Sequence, residues 1–502
     1  MRRILFGLLF VLNPIFVNAD VGSVDCTSVY PTCVDHVTRR VCNDVLGWTE
    51  ESCPQGMGCF NGACTVGFCS DACNLGEVDG TRRCELYELG SGSWLSVTPK
   101  ASMHDRARAY NQWLRRDNLP YGGVGNAIYA DAPTYSDIAG YAGHGDSAVW
   151  TGTYLAAEAL RLKTTGSADA RANVSYLVST LHLWFNINGA PGILVRYAAP
   201  SDRPSKPINY DLNCADNSVQ CGVSFEDETY DYNGSVSRDQ YQGVMLGYAL
   251  AYEALSPNDE AVRKLIREDV VELVEELMKE RPVPVEVTFK GMTLTRFTAK
   301  MRFALLNPVE MTNGAVQIAF DGTDIANDVD MRGLREFMPD VGQALRQIPG
   351  FKWVSAKPRP GSAIMLASFF QVALKVTEDV PTYAERRAAI ENFYRNNSDD
   401  WGNVANWMTI AKSWAYTNEC GDKYYANNIV MQPMYNLARL EKDPSILAII
   451  RDNVLEGALW KEHAGTKNSF STISTPRTCP MPAPRSLMKR QTNYRTLLRP
   501  PG

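Results

Sequence analysis

The chain reads as a mainly α protein built from helical hairpins, and three observations predict it. From residue 101 onward, helices of small and apolar residues alternate with charged, amphipathic ones. Two successive hairpins each begin with a smooth helix opened by an aspartate, a weak internal repeat. Ahead of them, residues 20–90 carry cysteines in place of apolar periodicity, so a small disulfide-rich module is expected there. A single β-hairpin, read as an insertion, interrupts the helices.

Length and composition set the outer bounds. The 502 residues are 45% hydrophobic and 21% charged, ordinary globular material with ample core. The net charge of −6 offers no footprint for nucleic acid. Residues 1–19 read as a secretory signal: Arg2 and Arg3, an apolar run over 4–17, then Val17-Asn18-Ala19 as the cleavage site. The run is short and broken by Pro14, and no later stretch is long and apolar enough to span a bilayer. A secreted or cell-surface protein without an integral membrane segment is therefore expected.

Cysteine usage agrees with export. Of thirteen cysteines, nine lie between Cys26 and Cys84. Their spacings lack a paired Cys-x-x-Cys, and His36 is the one histidine near them, so disulfides outrank zinc. Cys214 and Cys221 are placed to staple one loop. Residues 91–100, with the run Gly90-Ser91-Gly92-Ser93 at their start, read as a linker.

The helical domain is expected over 101–475. A first helix opens near Ser102 and runs through Trp113, and a Gly- and Tyr-rich loop leads to a helix opened by Asp146 and ending near Thr165-Gly166. On that helix Asp146, Trp150, Tyr154, Ala157 and Arg161 share one face, while Ala148, Gly152, Leu155 and Ala159 form a stripe smooth enough for a close helical neighbour. The next helix buries Val174, Leu177, Leu181 and Phe185 and turns His182 toward solvent. Residues 198–237 show little periodicity and read as a long polar loop. A helix opened by Asp239 then repeats the pattern, with Gly243, Gly247, Leu250 and Ala254 smooth and Tyr241, Met245, Tyr248 and Tyr252 aromatic. A charged helix over 258–280 follows. Residues 283–297 alternate about a Lys290-Gly291 turn as the β-hairpin, and 300–350 fit no single pattern. Helices resume at 361–375, 383–396, after Asp400-Trp401, at 427–441 and at 443–460. Residues 476–502 hold six basic residues and no acid and read as an extended tail.

Two resemblances follow from these residues. The run Cys42…Cys53-Pro-Gln-Gly-Met-Gly-Cys59-Phe-Asn-Gly-Ala-Cys64 resembles the cysteine-rich repeats that begin many exported proteins of myxobacteria. The alternation of smooth and charged hairpins over about 101–470 resembles an (α/α) toroid of the six-hairpin-glycosidase kind, with an irregular all-helical domain as the alternative. Trp150-x-Gly152-x-Tyr154-Leu-Ala-Ala157 with Gly192-Ile-Leu-Val-Arg196 is similar to an exported bacterial family of no assigned role.

The toroid resemblance implies that the N-termini of the inner helices meet at one mouth. Asp146 and Asp239 are then the expected catalytic carboxylates, one to protonate a glycosidic oxygen and the other to activate water. His144 and Tyr241 are the expected base and acid of a lyase, with Arg196 neutralising a uronic carboxylate. Trp150, Tyr154, Arg196, Asp400 and Trp401 are expected to bind substrate. Against this stands the plain reading that such aspartates merely cap helices. No phosphate-cradling loop, dinucleotide fingerprint, nucleophile elbow or His-Glu-x-x-His is present, so no cofactor and no metal are expected. An acidic loop over 211–231 offers hard oxygens without the spacing of a calcium loop. The expected function is an exported carbohydrate-active protein, a polysaccharide hydrolase or lyase. The alternative is a non-catalytic surface or binding protein.

Overall fold

A computed structural model describes residues 103–130, 137–311, 314–320, 329–340, 346–347, 358–413 and 424–460, together with short strands between 32 and 96. The expected leader, the cysteine pairing of the N-terminal module, His36, Cys420, Cys479 and the basic tail lie outside the described residues and side chains. The chain forms two compact units, one of residues 1–121 with 127–140, the other of Gly122–Asn126 with 141–502. The first holds a three-stranded sheet beginning at Thr32–Cys33, a five-stranded sheet beginning at Met57–Phe60, and the helix α1 (Met103–Asp117).

The second unit corrects the fold class. It is mixed α/β, because strands form sheets where a polar loop and an unclassified stretch were expected. In the stretch read as a loop, β1 (Tyr197–Pro200), β2 (Val219–Phe225) and β3 (Glu228–Asn233) make an antiparallel sheet with β3 in the middle. Cys214 and Cys221 form the expected disulfide beside it. The hairpin about Lys290-Gly291 is present as β4 (Arg281–Phe289) and β5 (Met292–Met301), its turn residues holding φ of 47° and 79°. It belongs to a larger sheet. A further strand over Val316–Phe320 runs parallel to β4, and one over Val329–Arg332 completes the four. Ala304–Leu306 and Leu334–Glu336 pair as a separate ribbon. A toroid made of hairpins alone is thereby excluded.

The helices still pack as their patterns require. They are α2 (Ser147–Thr165), α3 (Ala168–Asn186), α4 (Arg238–Ala254), α5 (Glu260–Met278), α6 (Pro360–Val376), α7 (Ala384–Asn396), α8 (Val404–Ala411) and α9 (Tyr424–Leu440). Gly143 at φ 76° admits the chain to α2, and Gly166 at φ 65° ends it. The smooth stripes of α2 and α4 meet backbone to backbone, with Val149 against Gly243 and Gly152 against Gly247, so the two helices run the same way. Every residue of α4 from Gln240 to Tyr252 is buried. The reason is that α4 has neighbours on all sides. Gln240 bonds to α2, Arg238 reaches Ser362 of α6, and the Met245 carbonyl accepts from Asn436 of α9. The apolar α3 packs on α2, and the charged helices α5 and α7 pack on α6. His182 departs from its expected exposure: its Nδ1 lies 2.7 Å from Asp269 of α5, and the carboxylate is fully buried.

Candidate functional site

Because α2 and α4 are parallel neighbours, their first residues come together. Asp146 stands at the N-cap of α2, yet its side chain makes no capping bond. Its Oδ1 accepts instead from Gln240 Nε2 of α4 at 3.1 Å, and Gln240 Oε1 accepts from the Val149 amide at 3.0 Å. Gln240 thus ties the two helix starts together, while 59% of the Asp146 side chain stays exposed. Asp239, next to Gln240, lies in the first turn of α4 and is half-buried.

Arg196 enters this mouth from the segment just before β1. Its guanidinium donates to the carbonyls of Gly145 and Ser235, and lies 3.7 Å from Asp146 Oδ1. Burial pulls its pKa down, while the charges of Asp239 and Asp146 pull it back up. One arginine therefore senses both aspartates. Behind it, Arg335 donates to Glu310 and to the Val236 carbonyl, and Ser235 Oγ donates to Glu310 at 2.6 Å. Arg238 is lowered chiefly by burial and also by the like charge of Arg359, with Glu336 and Asp239 opposing. Charges of both signs are thus gathered on fixed elements around the starts of α2 and α4.

The other expected site residues are distributed differently. Trp150, one turn along α2 from Asp146, is 45% exposed and offers an open indole face. Tyr154 is buried and turned to α3, its hydroxyl accepting from Asn173 at 2.8 Å. Tyr241 is closed in the core. Its Oη donates to the Gly192 carbonyl and accepts from the Leu194 amide, and burial drives its pKa far up. His144 is fully buried and stacks on Tyr197 at 3.9 Å. Asp400 and Trp401 belong to the loop before α8, where a cavity of about 320 Å³ is lined by Asp340, Asn397, Asp400, Trp401, Asn403 and Asn406. Trp401 is itself nearly buried, edge-on to Phe303 at 6.3 Å, and its carbonyl accepts from Trp407 Nε1 at 3.1 Å. It packs the core of that corner.

Sequence reasoning missed Gln240 and Asp211. Gln240 directly follows Asp239, and an uncharged amide gives no sequence signal of a tie between two helices. Asp211 lay in the acidic loop, and its partner His144 is 67 positions away. That loop does not gather its acids on a shared centre. Asp231 is taken by Ser201, Arg203 and the Gly222 amide, which together hold its pKa below the usual range against burial. The sulfurs of Cys214 and Cys221, though close to Asp231, are joined in their disulfide and cannot serve as thiolate ligands. Among the described residues no helix is long and apolar enough to cross a membrane.

The fold and the charged cluster define a class only: a mixed α/β protein with acidic and basic side chains gathered where two parallel helices begin. No protein-family model, no curated protein and no solved structure matches the chain.

Proposed function

We propose that the chain is an exported carbohydrate-active protein that binds a hydroxyl-rich oligo- or polysaccharide at the mouth of α2 and α4, and hydrolyses it. One observation carries the reading: Gln240, beside Asp239 at the start of α4, bonds to Asp146 at the start of α2, and the half-buried Arg196 lies 3.7 Å from Asp146. Paired carboxylates at a fixed cation supply a proton donor and a water-activating base, and the exposed Trp150 gives a sugar face a stacking surface. Elimination is the weaker chemistry. A lyase built here would use Tyr241 as its acid, and that hydroxyl is spent on the backbone of the core. Export belongs to the same proposal and rests on the leader-like residues 1–19 and the cysteine-rich stretch.

Binding without turnover is the second reading. It is favoured by the two main-chain carbonyls that hold Arg196, which make it framework as much as ligand contact. Incubating the full chain with neutral and acidic polysaccharides separates the two. New reducing ends support hydrolysis, products absorbing as unsaturated uronates support elimination, and retention without products supports a binding protein. Neither retention nor products on any polysaccharide would dismiss the carbohydrate reading.

A further inference from the structure

Beside the mouth lies a second constellation, on the inward side of the same turn. The Asp211 carboxylate accepts from the backbone amide of His144 at 2.7 Å and stands 3.1 Å from its ring Nδ1. A carboxylate only accepts, so the proton of the neutral ring sits on Nδ1 and Nε2 is left with a bare lone pair. The hydrogen bond to His144 also holds the Asp211 pKa low. His144 is wholly buried and, among the described residues, its Nε2 has no partner. The same is true of the Ser147 hydroxyl, one turn on. Two buried, unsatisfied polar atoms on one turn are costly, and a ligand that bonds to both would remove that cost.

What covers them is the segment Gly122–Asn126. A Cβ on Gly125 would lie 2.3 Å from His144 Nε2, and one on Gly123 would lie 2.9 Å from Ser147 Oγ and 2.5 Å from the Tyr197 ring. Bare backbone is all that fits. The segment is tied to this floor by the Val124 amide, which donates to Thr151 Oγ1 at 2.9 Å.

We infer that His144, Ser147 and the Tyr197 ring form a covered binding site for a small hydroxyl-bearing ligand, with Asp211 as positioning residue and Gly122–Asn126 as its cover. When the cover lifts, a ligand hydroxyl donates to His144 Nε2, the Ser147 hydroxyl provides a second contact, and Tyr197 supplies an apolar floor. The site does not depend on the carboxylate mouth, and substitution of Asp146 or Asp239 leaves it in place.

Diethyl pyrocarbonate tests this on the intact chain. The Nε2 lone pair attacks a carbonyl carbon of the reagent, an N–C bond forms as the C–O bond to ethyl carbonate breaks, and the ethyl carbonate takes up the proton released from Nδ1 and decays to carbon dioxide and ethanol. Peptide mapping then reads each histidine separately. The expected result is labelling of His144 in the folded chain, slowed saturably by glycerol as a small polyol probe. Thr151→Val removes the acceptor of the Val124 amide and should speed that labelling about tenfold, leaving His182 unchanged. Asp211→Asn should blur the single-tautomer pattern of the His144 ring nitrogens in 15N spectra. Labelling of His144 only under unfolding conditions, or at one rate in both chains, overturns the cover. Failure of glycerol to protect overturns the ligand class. Should Thr151→Val not fold, hydrogen exchange at the Gly123 and Gly125 amides of the natural chain decides: exchange well before global unfolding supports the cover, and exchange only with it overturns the cover.

Discussion

A methyl group on Gly243 would stand 2.1 Å from the Val149 carbonyl oxygen, closer than any side chain tolerates. This contact sets the separation of α2 and α4 and therefore the separation of Asp146 and Asp239. Alanine suits a helix better than glycine by about 1 kcal/mol, but here the added carbon meets main chain, which cannot swing aside. Gly243→Ala should lower stability by about 1–3 kcal/mol despite its better propensity. Gly145→Ala, with nothing within 4 Å of its Cβ, should change stability little. Urea unfolding of both variants checks the pair, and equal stability would mean that the helices are not in backbone contact.

The buried Asp269 gives a pH-dependent term. Burial raises its pKa, while His182, Tyr248 and Asn186 oppose that by bonding to it. For His182, burial is outweighed by the bond and charge of Asp269, aided by Glu268 and Glu226, and its pKa is raised. Both shifts mean that the folded pair holds protons longer than the unfolded chain. A raised histidine contributes fully below its unfolded value, about 6.5, and loses the contribution as pH climbs through the folded value. Stability should therefore fall above pH 6.5 more steeply in the natural chain than in Asp269→Asn. Parallel slopes in thermal unfolding from pH 6 to 9 would show that the pair does not titrate as a unit.

The Cys214–Cys221 disulfide closes a short loop, and chain entropy assigns such a loop about 2–3 kcal/mol. Both residues lie at an exposed edge, so replacing the pair by serines should cost no more than this and leave α2 and α4 intact. Unfolding monitored separately by far-UV and near-UV circular dichroism measures it. A loss well beyond that range would mean that the hairpin of β2 and β3 braces the core.

Legibility in the sequence followed the range of the interactions. The smooth stripes of α2 and α4 were readable because small residues at helical spacing have one use, close approach. The β4–β5 hairpin was readable from its Lys-Gly turn. Strand β2 was not: its pairing with β3 shifts register between Gln220 and Val223, which destroys the alternation that marks a strand. Reading that stretch as a loop, with 300–350 unassigned, makes a mixed fold look mainly α. Tyr241 is expected at the mouth because the toroid resemblance gathers the inner-helix N-termini there. On a helix buried all round, periodicity cannot tell a lined cavity from a packed core. His144 was visible as a residue in a glycine-flanked loop, but its orientation depends on Asp211, and a contact over 67 positions leaves no local pattern.

The strongest prediction concerns the paired aspartates. Asp146 makes no capping bond and is largely exposed, so its carboxylate is not needed to start α2. Asp146→Asn should keep the bond from Gln240, through its amide oxygen, and change stability by less than about 0.5 kcal/mol. Asp239→Asn should likewise preserve the first turn of α4. Either substitution removes one proton-transferring group, and turnover of a polysaccharide substrate should drop by about a hundredfold or more. Arg196→Lys should weaken binding as well, since a single ammonium cannot bridge the Gly145 and Ser235 carbonyls as the planar guanidinium does. Thermal unfolding establishes that each variant is folded, and product assays with binding isotherms establish what was lost. Loss of turnover with retained binding assigns the aspartates to chemistry, and loss of both assigns them to ligand contact. Unchanged binding and turnover in folded Asp146→Asn and Asp239→Asn chains would leave the charges of the mouth with a purely structural task, holding α2 against α4.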